Sequence, residues 1–150
     1  MSPARPILLY DGDCGVCTRL ARFVARWLRP GAPDGSWAYE ISAYQDADLP
    51  ALGLTPAACD AALQWVDASG RISSAQDAVA RLLLASVAWA RPIGVVLLAP
   101  GINALAGAVY RTVAANRGRL PGGTPACQLP AAETTIAEDR IRPSGCDLPQ

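Results

Sequence analysis

The chain has no histidine and no lysine among its 150 residues, so all 13 of its basic residues are arginines. That composition excludes several chemistries at once. No Ser–His–Asp or Cys–His arrangement, no imidazole metal ligand and no lysine Schiff base can be built from it. Acidic residues also number 13, so the formal charge is zero. A protein that binds nucleic acid through phosphate contacts needs a basic surplus, and this chain has none, so no nucleic-acid partner is expected. Cysteines number five, an odd count that fits poorly with a secreted disulfide scaffold. The first apolar run, residues 7–10, is too short for the h-region of a signal peptide. The expected location is the cytoplasm, where a close cysteine pair reads as redox-active or metal-binding.

What the chain does have is Ile7-Leu-Leu-Tyr-Asp-Gly-Asp-Cys-Gly-Val-Cys17. An apolar run, a short turn and two cysteines three apart are how a strand delivers a dithiol to the first turn of a helix. At that spacing both side chains share one face, close enough for a disulfide with Cα atoms roughly 4.4–6.8 Å apart. Free N–H groups and the helix dipole favour a thiolate on the first cysteine. Cys14 is therefore the candidate nucleophile and Cys17, one turn further in, the resolving thiol. Asp11 and Asp13 complicate the electrostatics, because a carboxylate beside a thiolate opposes its ionisation. The acidic setting is expected to make the pair a reductant rather than a strong oxidant. Asp13 is expected to cap the helix. Asp11 either accepts a proton from Cys17 or closes the turn.

Two other chemistries use parts of the same stretch. An apolar strand followed by Asp11-x-Asp13 resembles the nucleophile loop of haloacid-dehalogenase-type phosphatases. Those enzymes also need a basic residue and a later acidic pair for Mg²⁺, and the one adjacent acidic pair, Glu138-Asp139, falls in the C-terminal tail. A metal or iron–sulfur site could draw on Cys14, Cys17 and Cys127 with an outside ligand, although the chain has no second Cys-x-x-Cys.

Residues 16–28 read as a helix. Val16, Leu20, Phe23, Val24 and Trp27 recur at three- and four-residue steps and are expected inward. Arg19, Arg22, Arg26 and Arg29 form a solvated side, or a docking face for an acidic partner, and Pro30-Gly31 ends the helix. Residues 37–41 alternate as a second strand. Thr55-Pro56 opens a short helix. Residues 63–67 read as a third strand, which turns at Asp67-Ala-Ser-Gly70 into a short fourth one. Ser74-x-x-Asp77 resembles a capping box that opens a helix reaching residue 90. Trp27, Trp37, Trp65 and Trp89 lie in apolar patterns and are expected in the core, as is Cys59.

Residues 92–110 carry no charge. Pro92, Pro100-Gly101 and Asn103 break this stretch, which predicts two packed helices rather than a membrane span. The second runs over 103–116 with Leu105, Val109 and Val113 inward. Apolar faces here leave dimerisation or membrane-surface contact open. Residues 131–150 are polar and irregular, a loosely held tail behind a domain over 1–130. Strand, helix, strand, hairpin and helix is the order of a thioredoxin-like α/β fold, with the later helices added to it.

Asp11-Gly-Asp-Cys14-Gly-Val-Cys17 resembles the Asp-x-x-Cys-x-x-Cys signature of the DCC family of thiol-disulfide oxidoreductases. A second match lies far downstream, in Val109-Tyr110, Ala114-Ala-Asn-Arg117 and Cys127-Gln-Leu-Pro130. The resemblance covers about residues 6–130. It implies a thioredoxin-like domain with dithiol–disulfide activity and no cofactor of its own. Its substrate would be a disulfide-containing protein or a small-molecule thiol, with electrons from an external thiol or reductase. Cys127 is then either a third thiol near the site or a small buried side chain. Thioredoxin folds place a cis-proline before the third strand; here Cys59-Asp-Ala-Ala62 precedes Leu63, and Pro56 reads as a helix start.

Overall fold

In the computed structural model, which describes residues 3–116 and Arg119, the apolar tetrapeptide Ile-Leu-Leu-Tyr forms β1 (Ile7–Tyr10) inside a four-stranded sheet. Side chains alternate across a strand. Leu8 and Tyr10 therefore enter one core cluster and Leu9 the other, and all three are buried. β2 (Glu40–Ala43) runs parallel to β1, with Ile7 opposite Glu40. β3 (Gln64–Val66) runs antiparallel on the other side, and β4 (Ile72–Ser74) pairs antiparallel with β3. The strand order is β2-β1-β3-β4. Parallel neighbours need a crossover. Here it is α1 (Gly15–Phe23), which runs on as a π-helical turn over Val24–Leu28. Short helices α2 (Leu49–Leu52) and α3 (Pro56–Ala61) precede β3. After the hairpin come α4 (Ala75–Ala85), α5 (Arg91–Leu97) and α6 (Pro100–Asn116). This is a thioredoxin-like fold with two added helices.

One core cluster joins Leu8, Tyr10, Tyr39, Ile41 and Trp65 to Ala21, Val24 and Leu28 below α1 and to Ala78 and Leu82 of α4. Tyr39 and Trp65 meet edge to face at 5.4 Å. The other cluster holds Leu9, Leu49, Leu54, Cys59 and Val66.

Several local expectations change. β2 starts at Glu40 rather than at residue 37; Trp37 sits in an isolated bridge with Gly31, under the Arg29 guanidinium at 4.9 Å. α4 stops at Ala85, because Ser86 Oγ donates back to Leu82 O at 2.7 Å and lies 3.2 Å from the Tyr39 hydroxyl. The capping box does not form. Ser74 Oγ donates to Gln64 instead, and Asp77 accepts from Asn103 Nδ2 at 2.6 Å. Of the four tryptophans only Trp65 is core; Trp27, Trp37 and Trp89 are 58%, 49% and 63% exposed.

The largest correction concerns which faces of α1 and α6 turn inward. α1 buries Thr18 and Ala21, and leaves Leu20 and Phe23 exposed, with Trp27 one turn on. α6 buries Gly107 and leaves Ile102, Leu105, Val109 and Val113 exposed. Small residues let a helix approach its neighbour closely. A Cβ at Gly107 would lie 3.1 Å from the Gln76 side chain, so the glycine face is the one that fits against α4. Two polar anchors fix that choice: Asn103 bonds to Asp77, and the Tyr110 hydroxyl accepts the Leu63 N–H at 2.9 Å. Among the described residues no single helix is long and apolar enough to cross a membrane; α5 and α6 pass that test only together, bent by 93°. Cys127, Cys146, Glu138-Asp139 and the tail over 131–150 lie outside the described residues.

Candidate active site

After Tyr10 the chain turns through Asp11, Gly12 and Asp13, and α1 begins at the C-terminal end of β1. Cys14 is itself the N-cap, with φ −89° and ψ 111°, and its Sγ accepts the Cys17 N–H at 3.3 Å. An oxygen of Ser, Thr, Asp or Asn usually holds that position. Hydrogen bonds to an ionised acceptor are the stronger kind, so this contact favours negative charge on the sulfur. The Cys14 carbonyl accepts the Thr18 N–H at 2.9 Å and closes the first turn. Both thiols are half-buried.

Asp13 therefore does not supply the cap. Asp11 Oδ1 accepts the Asp13 N–H at 3.0 Å, which closes the turn. Both carboxylates also meet one side chain that sequence reasoning missed. Gln45 Nε2 donates to Asp11 Oδ1 at 3.2 Å and to Asp13 Oδ2 at 3.3 Å, while its Oε1 accepts the Gly12 N–H at 3.1 Å. Gln45 lies in the 3₁₀ turn Tyr44–Asp46 that follows β2. Its only signal in the sequence is a polar residue just past the strand that pairs in parallel with β1. Gly12 is needed for the same approach: a Cβ there would lie 3.0 Å from Ala43 Cβ and 3.0 Å from Gln45 Oε1. Thr18 Oγ1, buried, donates to Gly12 O at 3.3 Å from the other side.

Cys17 and Asp11 line an apolar cavity of about 300 Å³ with Leu20, Phe23, Tyr110 and Val113. Ala62 and Leu63, just before β3, line it too, at the place where thioredoxin folds carry their proline. Every peptide bond among the described residues is trans. Burial pushes the Tyr10 hydroxyl up to about 12, partly offset by the nearby Arg22 guanidinium. Burial also pushes the Cys59 thiol up, as suits an inert core cysteine. Among the described residues no group of three or more Cys, Asp or Glu side chains is placed to hold a metal ion.

The fold is that of the thioredoxin-like proteins, and its first helix opens on a dithiol. The chain belongs to the DCC1-like thiol-disulfide oxidoreductase family, whose model matches residues 8–123, from β1 to beyond the end of α6. No curated protein and no solved structure matches it.

Proposed function

We propose that the protein reduces disulfides through Cys14 and Cys17. Membership of the family supports thiol–disulfide chemistry in general. The observation that supports this pair as its seat is the Cys14 sulfur capping its own helix through the Cys17 N–H. The Cys14 thiolate attacks one sulfur of a substrate disulfide, forming a mixed disulfide and releasing the first substrate thiol. The Cys17 thiolate then attacks the Cys14 sulfur and releases the second. Two electrons have passed to the substrate, leaving a Cys14–Cys17 disulfide that an external thiol or reductase returns to the dithiol. Asp11 and Asp13 lie in the turn that leads into the dithiol, and carboxylates there would weight the pair toward reduction rather than oxidation of its partners.

A redox titration in glutathione buffers, read by thiol alkylation and mass spectrometry, tests this reading. The expected result is a reversible two-electron transition confined to Cys14 and Cys17, with Cys17→Ser trapping the mixed disulfide at Cys14. A pair that stays reduced across the whole range overturns the redox assignment. A potential well above the glutathione couple overturns the direction.

A further inference from the structure

In a water-soluble helix the large aliphatic residues face the core. α6 is built the other way round. Its inward side carries Asn103, Gly107 and Tyr110, and its outward side carries Ile102, Leu105, Val109 and Val113. α1 repeats the pattern, with Thr18 and Ala21 buried and Leu20 and Phe23 exposed. The two outward stripes meet, because Leu20, Phe23 and Val113 line one groove. α5 adds Ile93, Val95 and Val96 to the exposed apolar surface, and Trp89 stands just before it at 63% exposure. Apolar area on this scale on a monomer marks a surface that something else covers.

Charge says what covers it. The chain is neutral overall, yet no acidic residue lies between Asp77 and Glu133, a stretch that carries Arg81, Arg91, Arg111, Arg117 and Arg119. Between Asp13 and Asp34 the sequence again carries arginine alone: Arg19, Arg22, Arg26 and Arg29. The helices that expose aliphatic stripes are therefore the ones whose only charges are positive. Exposed Arg19, Arg26, Arg91 and Arg111 accompany the stripes, and Arg26 lies over the Trp27 ring at 5.5 Å. Aliphatic residues toward the acyl region, with tryptophan and arginine at headgroup level, are what an in-plane helix needs on an anionic bilayer. A second copy of the chain would bring arginine against arginine around the same patch. We propose that the α1, α5 and α6 face docks this protein on an anionic lipid surface without spanning it. The 93° bend between α5 and α6 fits helices that lie on a bilayer rather than cross it. The groove where the stripes meet is the cavity that Cys17 and Asp11 also line, yet the inference does not depend on the redox reading and its test reads lipid binding alone.

Flotation of the full chain with vesicles tests it, using phosphatidylcholine containing about 30 mol % phosphatidylglycerol and, in parallel, phosphatidylcholine alone. The protein should float with the anionic vesicles and release in high salt. Leu105→Glu with Val109→Glu should weaken partitioning by at least about tenfold, whereas Ala104→Glu, exposed on another side of α6, should not. Circular dichroism melts confirm that each variant is folded. Protein that stays at the bottom of the gradient with anionic vesicles overturns the proposal. So does equal flotation of wild type and the double variant. In the first case, a dimer in solution that the double variant splits assigns the face to a second copy instead.

Discussion

Gln45 accepts the Gly12 N–H at 3.1 Å, which ties the turn before the dithiol to a residue 33 positions later in the chain. The same side chain donates to Asp11 and Asp13, so one neutral amide separates two carboxylates and supports the backbone between them. The cysteines sit where they do because the end of β2 holds the loop that precedes them.

Gln45→Ala should destabilise the protein by about 1–3 kcal/mol, the usual cost of leaving a partly buried amide and its acceptors without partners. It should also change the rate at which Cys14 is alkylated, which a purely global loss of stability would not do under native conditions. Gln45→Glu keeps the shape but adds charge next to two carboxylates. Its defect should be largest at neutral pH and shrink below about pH 4, where the new carboxyl is protonated. Thermal melts and timed iodoacetamide labelling across pH check both variants.

Two glycines should behave oppositely. A Cβ at Gly94 would meet the Ala80 carbonyl oxygen at 2.8 Å and the Leu84 backbone nitrogen at 3.0 Å, atoms that cannot step aside cheaply. Gly94→Ala should cost about 1–3 kcal/mol by forcing α5 off α4. Gly101, in the first turn of α6, has nothing within 4 Å of its Cβ position. Gly101→Ala should be neutral or stabilise by up to about 1 kcal/mol. Urea denaturation of the pair is the measurement.

Tyr110→Phe removes the acceptor for the Leu63 N–H. Loss of this contact should cost about 1–3 kcal/mol. Amide hydrogen exchange should show the Leu63 proton losing protection before the rest of the sheet does. Unchanged protection would mean that α6 is anchored to β3 by packing alone.

Stability should fall in alkali. Tyrosine ordinarily ionises near 10, and the fold holds the Tyr10 proton to about 12, chiefly by burial. Tyr39 shifts the same way by burial, and Tyr44 does so through its hydrogen bond to Asp60. The folded state thus binds these protons more tightly than the unfolded chain. The stabilisation is complete below about pH 10 and is lost as pH climbs through the folded-state values. Denaturant midpoints from pH 8 upward, with Tyr10→Phe as the comparison, should show a shallower alkaline decline in the variant.

The strand–turn–dithiol–helix unit and the hairpin at Asp67 were legible because each rests on local chemistry: an apolar run, a cysteine spacing and a turn sequence. The thioredoxin-like order followed from those pieces. The inward faces of α1 and α6 were not legible. Periodicity shows that Leu20, Phe23 and Trp27, or Leu105, Val109 and Val113, share a side; it carries no information about what lies against that side. Gly107 and Tyr110 decided the matter for α6 through contacts distant in sequence. Gln45 was invisible for the same reason, since its three partners belong to a loop on another strand. The Asp13 cap and the Ser74-x-x-Asp77 box failed because other partners, Gln45 and Asn103, were within reach of those carboxylates.

A helix that starts on sulfur instead of oxygen has a first turn whose integrity follows the oxidation state of Cys14. Alkylation or a mixed disulfide at Cys14 weakens the atom that accepts the Cys17 N–H and should loosen that turn, whereas closure onto Cys17 ties the same turn covalently. Amide hydrogen exchange at Cys17 should then separate a Cys14-alkylated form, less protected, from the reduced one.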